Sequence, residues 1–190
     1  MKSTALLLLM SLAWTCIASA QSAPHTTAPL HVWHQSQKND TARSFTYTQF
    51  TLTGKFLSAP HDPVADRPAL ALDCIPGSEA RSKGKFLAAN LLVGTTLKII
   101  FVEPEEIRGT SYFPKVALGY RADDGKEEQR QWNPGTDKTS VSIPKESVKQ
   151  LLRARSVAIT LDDDHGSQVA IQFDLPDPAV VEQACNVDEH

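Results

Sequence analysis

The sequence predicts an all-β fold, an antiparallel β-sandwich or open barrel carrying one or two short helices. Three observations lead there. Apolar residues alternate with polar ones over short runs, as a half-buried strand requires. Tight-turn signals such as Asp123-Asp124-Gly125 stand between neighbouring runs. The strand–helix–strand rhythm of a parallel sheet does not occur, nor does a repeat of constant period.

Composition sets the outer limits. Of 190 residues, 22% are charged and 41% hydrophobic, which excludes a disordered tail, a collagen-like repeat and a polytopic membrane protein. Nineteen basic residues face 22 acidic ones, too even a balance for a long-range field that would draw nucleic acid or an anionic membrane.

Residues 1–20 read as a signal peptide. Lys2 supplies the positive start, residues 5–18 form a nearly uncharged apolar run, and Ala18-Ser19-Ala20 is a small-x-small cleavage site, so Gln21 is the expected first residue of the mature chain. The apolar run is shorter than the roughly 20 residues of a membrane span. No membrane span is therefore expected after cleavage, and the destination is periplasmic or secreted. Lipid attachment at Cys16 suits the bulky Trp14 poorly. Cleavage removes Cys16 and leaves Cys74 and Cys185. Two cysteines in an oxidising compartment have one possible pairing, and a Cys74–Cys185 disulfide is expected in preference to two buried thiols.

Residues 21–42 read as a flexible leader and lead-in segment, and 43–190 as a single β-rich domain. Residues 44–53 place Phe45 and Tyr47 on one parity and Phe50 and Leu52 on the other, which predicts a strand bulged near Gln49. Residues 58–67 are turn-rich. In 68–75, Leu70, Leu72 and Cys74 share a face. Residues 85–93 and 97–102 are apolar-rich and predict a hairpin turning at Thr95 and Thr96, with Leu97, Ile99 and Phe101 together on one face. Val116, Leu118 and Tyr120 lead into the Asp-Gly turn, and 127–132 returns antiparallel. Residues 139–143 form a short strand. Val157, Ile159 and Leu161 pair with Val169, Ile171 and Phe173 around the 162–166 turn. Val148, Leu151 and Leu152 make a helical stripe over 145–154 that starts at Pro144. Residues 177–184 form a second short helix with Asp177 as N-cap and Pro178 first, ending at Cys185.

Three of these stretches carry a family resemblance. They are Arg67-Pro68-Ala69-Leu70-Ala71-Leu72-Asp73-Cys74, then Tyr120-Arg121-Ala122-Asp123-Asp124-Gly125 with Trp132 and Thr136-Asp137 after it, and Phe173-Asp174-Leu175 leading to the helix that ends at Cys185. In their order the chain resembles the type VI secretion-associated VasI/TagO-like exported proteins over about two-thirds of its mature length. The resemblance implies a β-rich envelope protein. Its long Ala/Pro leader and the loop at 76–85 depart from that pattern.

Candidate chemistry is sparse. His31 and His34 would share a face on a helix and oppose each other on a strand. The run Asp162-Asp163-Asp164-His165-Gly166 lacks the spaced oxygens and distal Glu of a calcium loop and reads as a solvated hairpin tip, as does Asp123-Asp124. No metal set, cofactor or catalytic residue is assigned, and neither a nucleophile elbow nor a glycine-rich phosphate loop occurs. The binding candidates are Tyr120, Arg121, Arg130 and Trp132. An aromatic beside a guanidinium suits a carbohydrate or a protein, the ordinary alternative being a core Trp132 with Arg130 at its rim. The sequence thus predicts an exported accessory protein that binds another envelope protein or a cell-wall component without catalysis. A secreted hydrolase using carboxylates of Glu103, Glu105 and Glu106 or of 162–164 is the alternative.

Overall fold

Glycine at position 54 interrupts one long extended stretch, and the architecture follows from that corner. A computed structural model describes residues 31–65, 67–76, 85–103 and 112–185. Among them are strands β1 (His34–Asp40), β2 (Phe45–Thr53), β3 (Lys55–Ser58), β4 (Ala69–Pro76), β5 (Lys85–Leu92), β6 (Ile100–Val102), β7 (Phe113–Ala122), β8 (Glu128–Pro134) and β9 (Ser140–Ile143). Helix α1 (Lys145–Arg153), strands β10 (Ser156–Asp162) and β11 (Gln168–Asp174) and helix α2 (Ala179–Cys185) follow. The fold is all-β and antiparallel with two short helices, as the sequence predicts.

The strands run in the order β1-β2-β4-β5-β9-β8-β7-β10-β11-β3, with β6 attached to β7. Because β2 and β3 are separated by Gly54 alone, β3 at one end of this path follows directly in the chain from β2, the strand next to the other end. A Cβ on Gly54 would lie 2.6 Å from Cε1 of Phe173, so the close approach of β11 admits glycine only. At the opposite corner β8 changes partners. Trp132 pairs with Val116 of β7, whereas Asn133 and Pro134 pair with β9.

The inward parity of β2, β4, β7, β10 and β11 fills the space between: Phe50 and Leu52, Leu70 and Leu72, Leu118 and Tyr120, Val157, Ile159 and Leu161, Val169, Ile171 and Phe173. Helices α1 and α2 add Val148, Leu151, Leu152 and Val181. Cys74 on β4 bonds Cys185 at the end of α2, with Cα atoms 5.1 Å apart and a sequence separation of 111. Among the described residues no helix is long and apolar enough to cross a membrane.

Three local expectations change. Residues 34–40, placed in the lead-in segment, form β1 and pair with β2 from His34↔Thr51 to Asp40↔Phe45. An edge strand needs no apolar face, and β1 is held laterally by polar pairs such as Gln37 to Thr48 and Thr46 to Asn39. The bulge near Gln49 is absent, since β2 keeps unbroken register with β1 and β4. Both parities of β2 carry aromatics because Phe45 and Tyr47 pack on each other at 6.0 Å while Phe50 and Leu52 enter the core. Residues 85–93 and 97–102 do not form a hairpin: β5 lies between β4 and β9, and β6 pairs with β7. Gly94 at φ +78° redirects the chain there, and its carbonyl accepts the Val64 N–H at 2.7 Å.

Candidate functional site

The Asp-Gly hairpin places the four binding candidates as follows. Gly125 donates to the Ala122 carbonyl at 3.0 Å, and Asp123 turns the chain at φ +49°. The register sets Tyr120 opposite Glu128, Leu118 opposite Arg130 and Val116 opposite Trp132, so Tyr120, Arg130 and Trp132 share the inner face. Tyr120 and Trp132 are each 2% exposed, with rings 5.9 Å apart. The Arg130 guanidinium sits 4.0 Å over the Tyr120 ring and donates to Ser147, Gln150 and Glu128, which ties β8 to α1. Burial raises the Tyr120 pKa against the opposing pull of Arg130. Three of the four thus form a lid on the core.

Arg121 has the opposite parity. It lines a polar groove of about 310 Å³ with Asp123, Asp124, Ser156 and Gln172. Asp123 is committed to structure there, since its carboxylate accepts the Arg155 and Ser156 amides at 2.8 and 2.9 Å.

A second constellation forms where three loops meet, and it has no local signature in the sequence. Asp163 is wholly buried, and its carboxylate accepts backbone N–H groups from His61 (3.1 Å), His165 (3.1 Å) and Ser167 (2.7 Å). Burial pushes its carboxyl upward, but those three bonds prevail and the pKa is lowered. The loop at 94–98 joins through Thr95 Oγ1 donating to the Asp62 carbonyl and Asp164 N–H donating to the Thr96 carbonyl. As a result His61, Asp62 and His165 stand together on the surface, with the two imidazoles stacked at 4.9 Å. Residues 61 and 165 lie too far apart in sequence for any motif to connect them.

The carboxylates of 162–164 are each engaged. Asp162 pairs with Lys98 at 3.2 Å, Asp163 holds the amides, and Asp164 pairs with His165 at 2.9 Å. Glu103 is exposed, while Glu105 and Glu106 lie outside the described residues. Of the other histidine pair, His31 meets Asp174 at 3.4 Å and His34 opens β1.

A third feature is apolar. On β6 and the start of β7, Phe101 (68%), Tyr112 (60%) and Phe113 (47%) are exposed. Phe101 faces Pro114 across the ladder, and Val102 faces Phe113.

No protein-family model, curated protein or solved structure matches this chain. Three surfaces of the described residues offer chemistry for recognition: the Arg121 groove, the histidine-bearing loop end and the exposed aromatics of β6 and β7.

Proposed function

We propose that this chain is an exported accessory protein of the cell envelope that acts by binding another envelope protein, in the manner of the type VI secretion-associated group its sequence resembles. The observation that carries the reading is the aromatic ribbon of Phe101, Tyr112 and Phe113. Phe101 and its cross-strand neighbour Pro114 are both exposed on one face of the β6–β7 ladder, and Phe113 is exposed on the other; large apolar side chains held in water in this way are characteristic of a surface that another protein covers. Among the described residues β6 is paired on one side only, to β7, so its other edge offers main-chain groups to an incoming strand. Export is supported by residues 1–20 and by the Cys74–Cys185 bond, which persists in an oxidising compartment.

Site-specific photocrosslinking tests the reading. A photoreactive phenylalanine analogue at position 101 is expected to trap one discrete envelope protein, and the same probe at Lys126, beyond the far end of β7, is expected not to. Purified material is expected to begin at Gln21. Identical products at both positions, or none at 101, would overturn the partner reading.

A further inference from the structure

We propose that His61, Asp62 and His165 form a binding site for a borderline transition-metal cation, Zn²⁺ being the best fit. The inference is independent of the partner reading above and rests on donor geometry. His61 Nδ1 lies 3.2 Å from Asp62 Oδ2, and His165 Nε2 lies 3.7 Å from the same oxygen. One donor atom from each of the three residues falls within 4.8 Å of the others. Ligands about 2.0 Å from a tetrahedral zinc stand about 3.3 Å from one another. The two measured edges bracket that spacing, so an ion can enter with small side-chain adjustments.

The surrounding groups prepare the donors. His165 Nδ1 lies 2.9 Å from Asp164 Oδ1. A proton shared there fixes the tautomer whose Nε2 lone pair faces Asp62, which is the carboxylate–histidine–metal arrangement that orients a ligating imidazole. Asp163 then fixes the backbone beneath both rings, because its buried carboxylate takes the amides of His61 and His165 at once. Two donors from distant parts of the sequence are thereby held before any ion arrives. The stacking of the imidazoles keeps them side by side.

Donor chemistry selects the ion. Two imidazoles and one carboxylate suit zinc or a neighbouring divalent transition metal, whereas calcium and magnesium prefer oxygen alone. All three side chains are exposed, so the cation has direct access and water completes the fourth position. The ion would bridge the segment 59–65 to the β10–β11 hairpin.

The test uses the chain expressed from its full coding sequence and purified without a polyhistidine tag. Calorimetric titration with Zn²⁺ is expected to show one saturable site, and Co²⁺ in its place is expected to give the visible absorption of a tetrahedral complex. His61→Ala and His165→Ala are each expected to abolish that site while circular dichroism stays unchanged. His31→Ala and His34→Ala should keep it. Asp164→Ala should weaken it about tenfold by releasing the imidazole. Calcium in excess is expected not to compete. Failure of the unsubstituted chain to bind Zn²⁺ saturably would overturn the proposal. So would undiminished binding by both His61→Ala and His165→Ala, or loss of binding in His34→Ala.

Discussion

Oδ2 of Asp163 accepts the backbone N–H of His61 at 3.1 Å across 102 residues of sequence. The same side chain takes two further amides from its own hairpin, so one buried carboxylate pins two loops. Asp163→Ala leaves three amides unpaired and is expected to cost about 3 kcal/mol, since each unmet buried group costs roughly 1–3 kcal/mol. Asp163→Asn turns a donor toward the His61 amide while keeping an acceptor for His165 and Ser167. It should therefore free the segment 59–65 and spare the hairpin. Denaturant midpoints give the cost, and amide hydrogen exchange locates it.

The pH dependence follows from the same group. Asp163 is lowered by its three amide bonds despite burial, and Asp137 is lowered by the Thr139 amide and the Ser140 hydroxyl. A folded pKa below the unfolded one contributes stability that is complete above the unfolded value of about 3.9 and is lost as pH falls through the folded one. Melting temperature should fall steeply below about pH 4, and Asp163→Asn should flatten that limb. An unchanged acid limb would show that Asp163 is not the linked group.

Asp73 on β4 has the opposite sign. Burial raises its pKa more than the Gln49 hydrogen bond and the Lys38 charge lower it. Its stabilising contribution exists below the unfolded pKa and is lost as pH rises through the folded one. Asp73→Asn keeps an acceptor for Gln49 and should raise the denaturation midpoint at pH 7. The gain should disappear below about pH 4, where the native carboxyl is already neutral.

Opening the Cys74–Cys185 bond frees a loop of 111 residues. The chain-entropy relation puts the loss at about 4–5 kcal/mol. Paired Cys74→Ala and Cys185→Ala substitutions should show most of it as a lower melting temperature. Both thiols should resist alkylation until a reductant is added.

Among the described residues the buried hydroxyl of Tyr120 has no hydrogen-bond partner. Tyr120→Phe keeps the ring under Arg130 and removes that unmet group, so stability should hold or rise. Arg130→Met loses the ring contact and the bonds to Ser147 and Gln150 and should cost about 1–3 kcal/mol. A large loss in Tyr120→Phe would show that its hydroxyl is bonded after all.

Strand parity was legible where one face is buried. Leu70, Leu72 and Cys74 point inward together, as do Val157, Ile159 and Leu161, because burial imposes a period of two. The Asp-Gly hairpin, the α1 stripe and the cysteine pairing were equally readable. β1 was not, because an edge strand built on polar side-chain pairs has no alternation to display. Phe101 departs from the sequence parity it shares with Leu97, because Leu97 is buried beside Asp163 whereas Phe101 is exposed on the separate strand β6. The meeting of His61 with His165 depends on loop closure through Asp163, which no local pattern encodes.

The corner at Gly54 also bears on the order of assembly. β3 is made early, yet it lies against β11, whose residues come more than a hundred positions later. The β3–β11 ladder therefore cannot form until almost the entire polypeptide is present, which predicts slow folding governed by distant pairings. A chain threaded through a narrow channel would reach the far side with its two ends still apart.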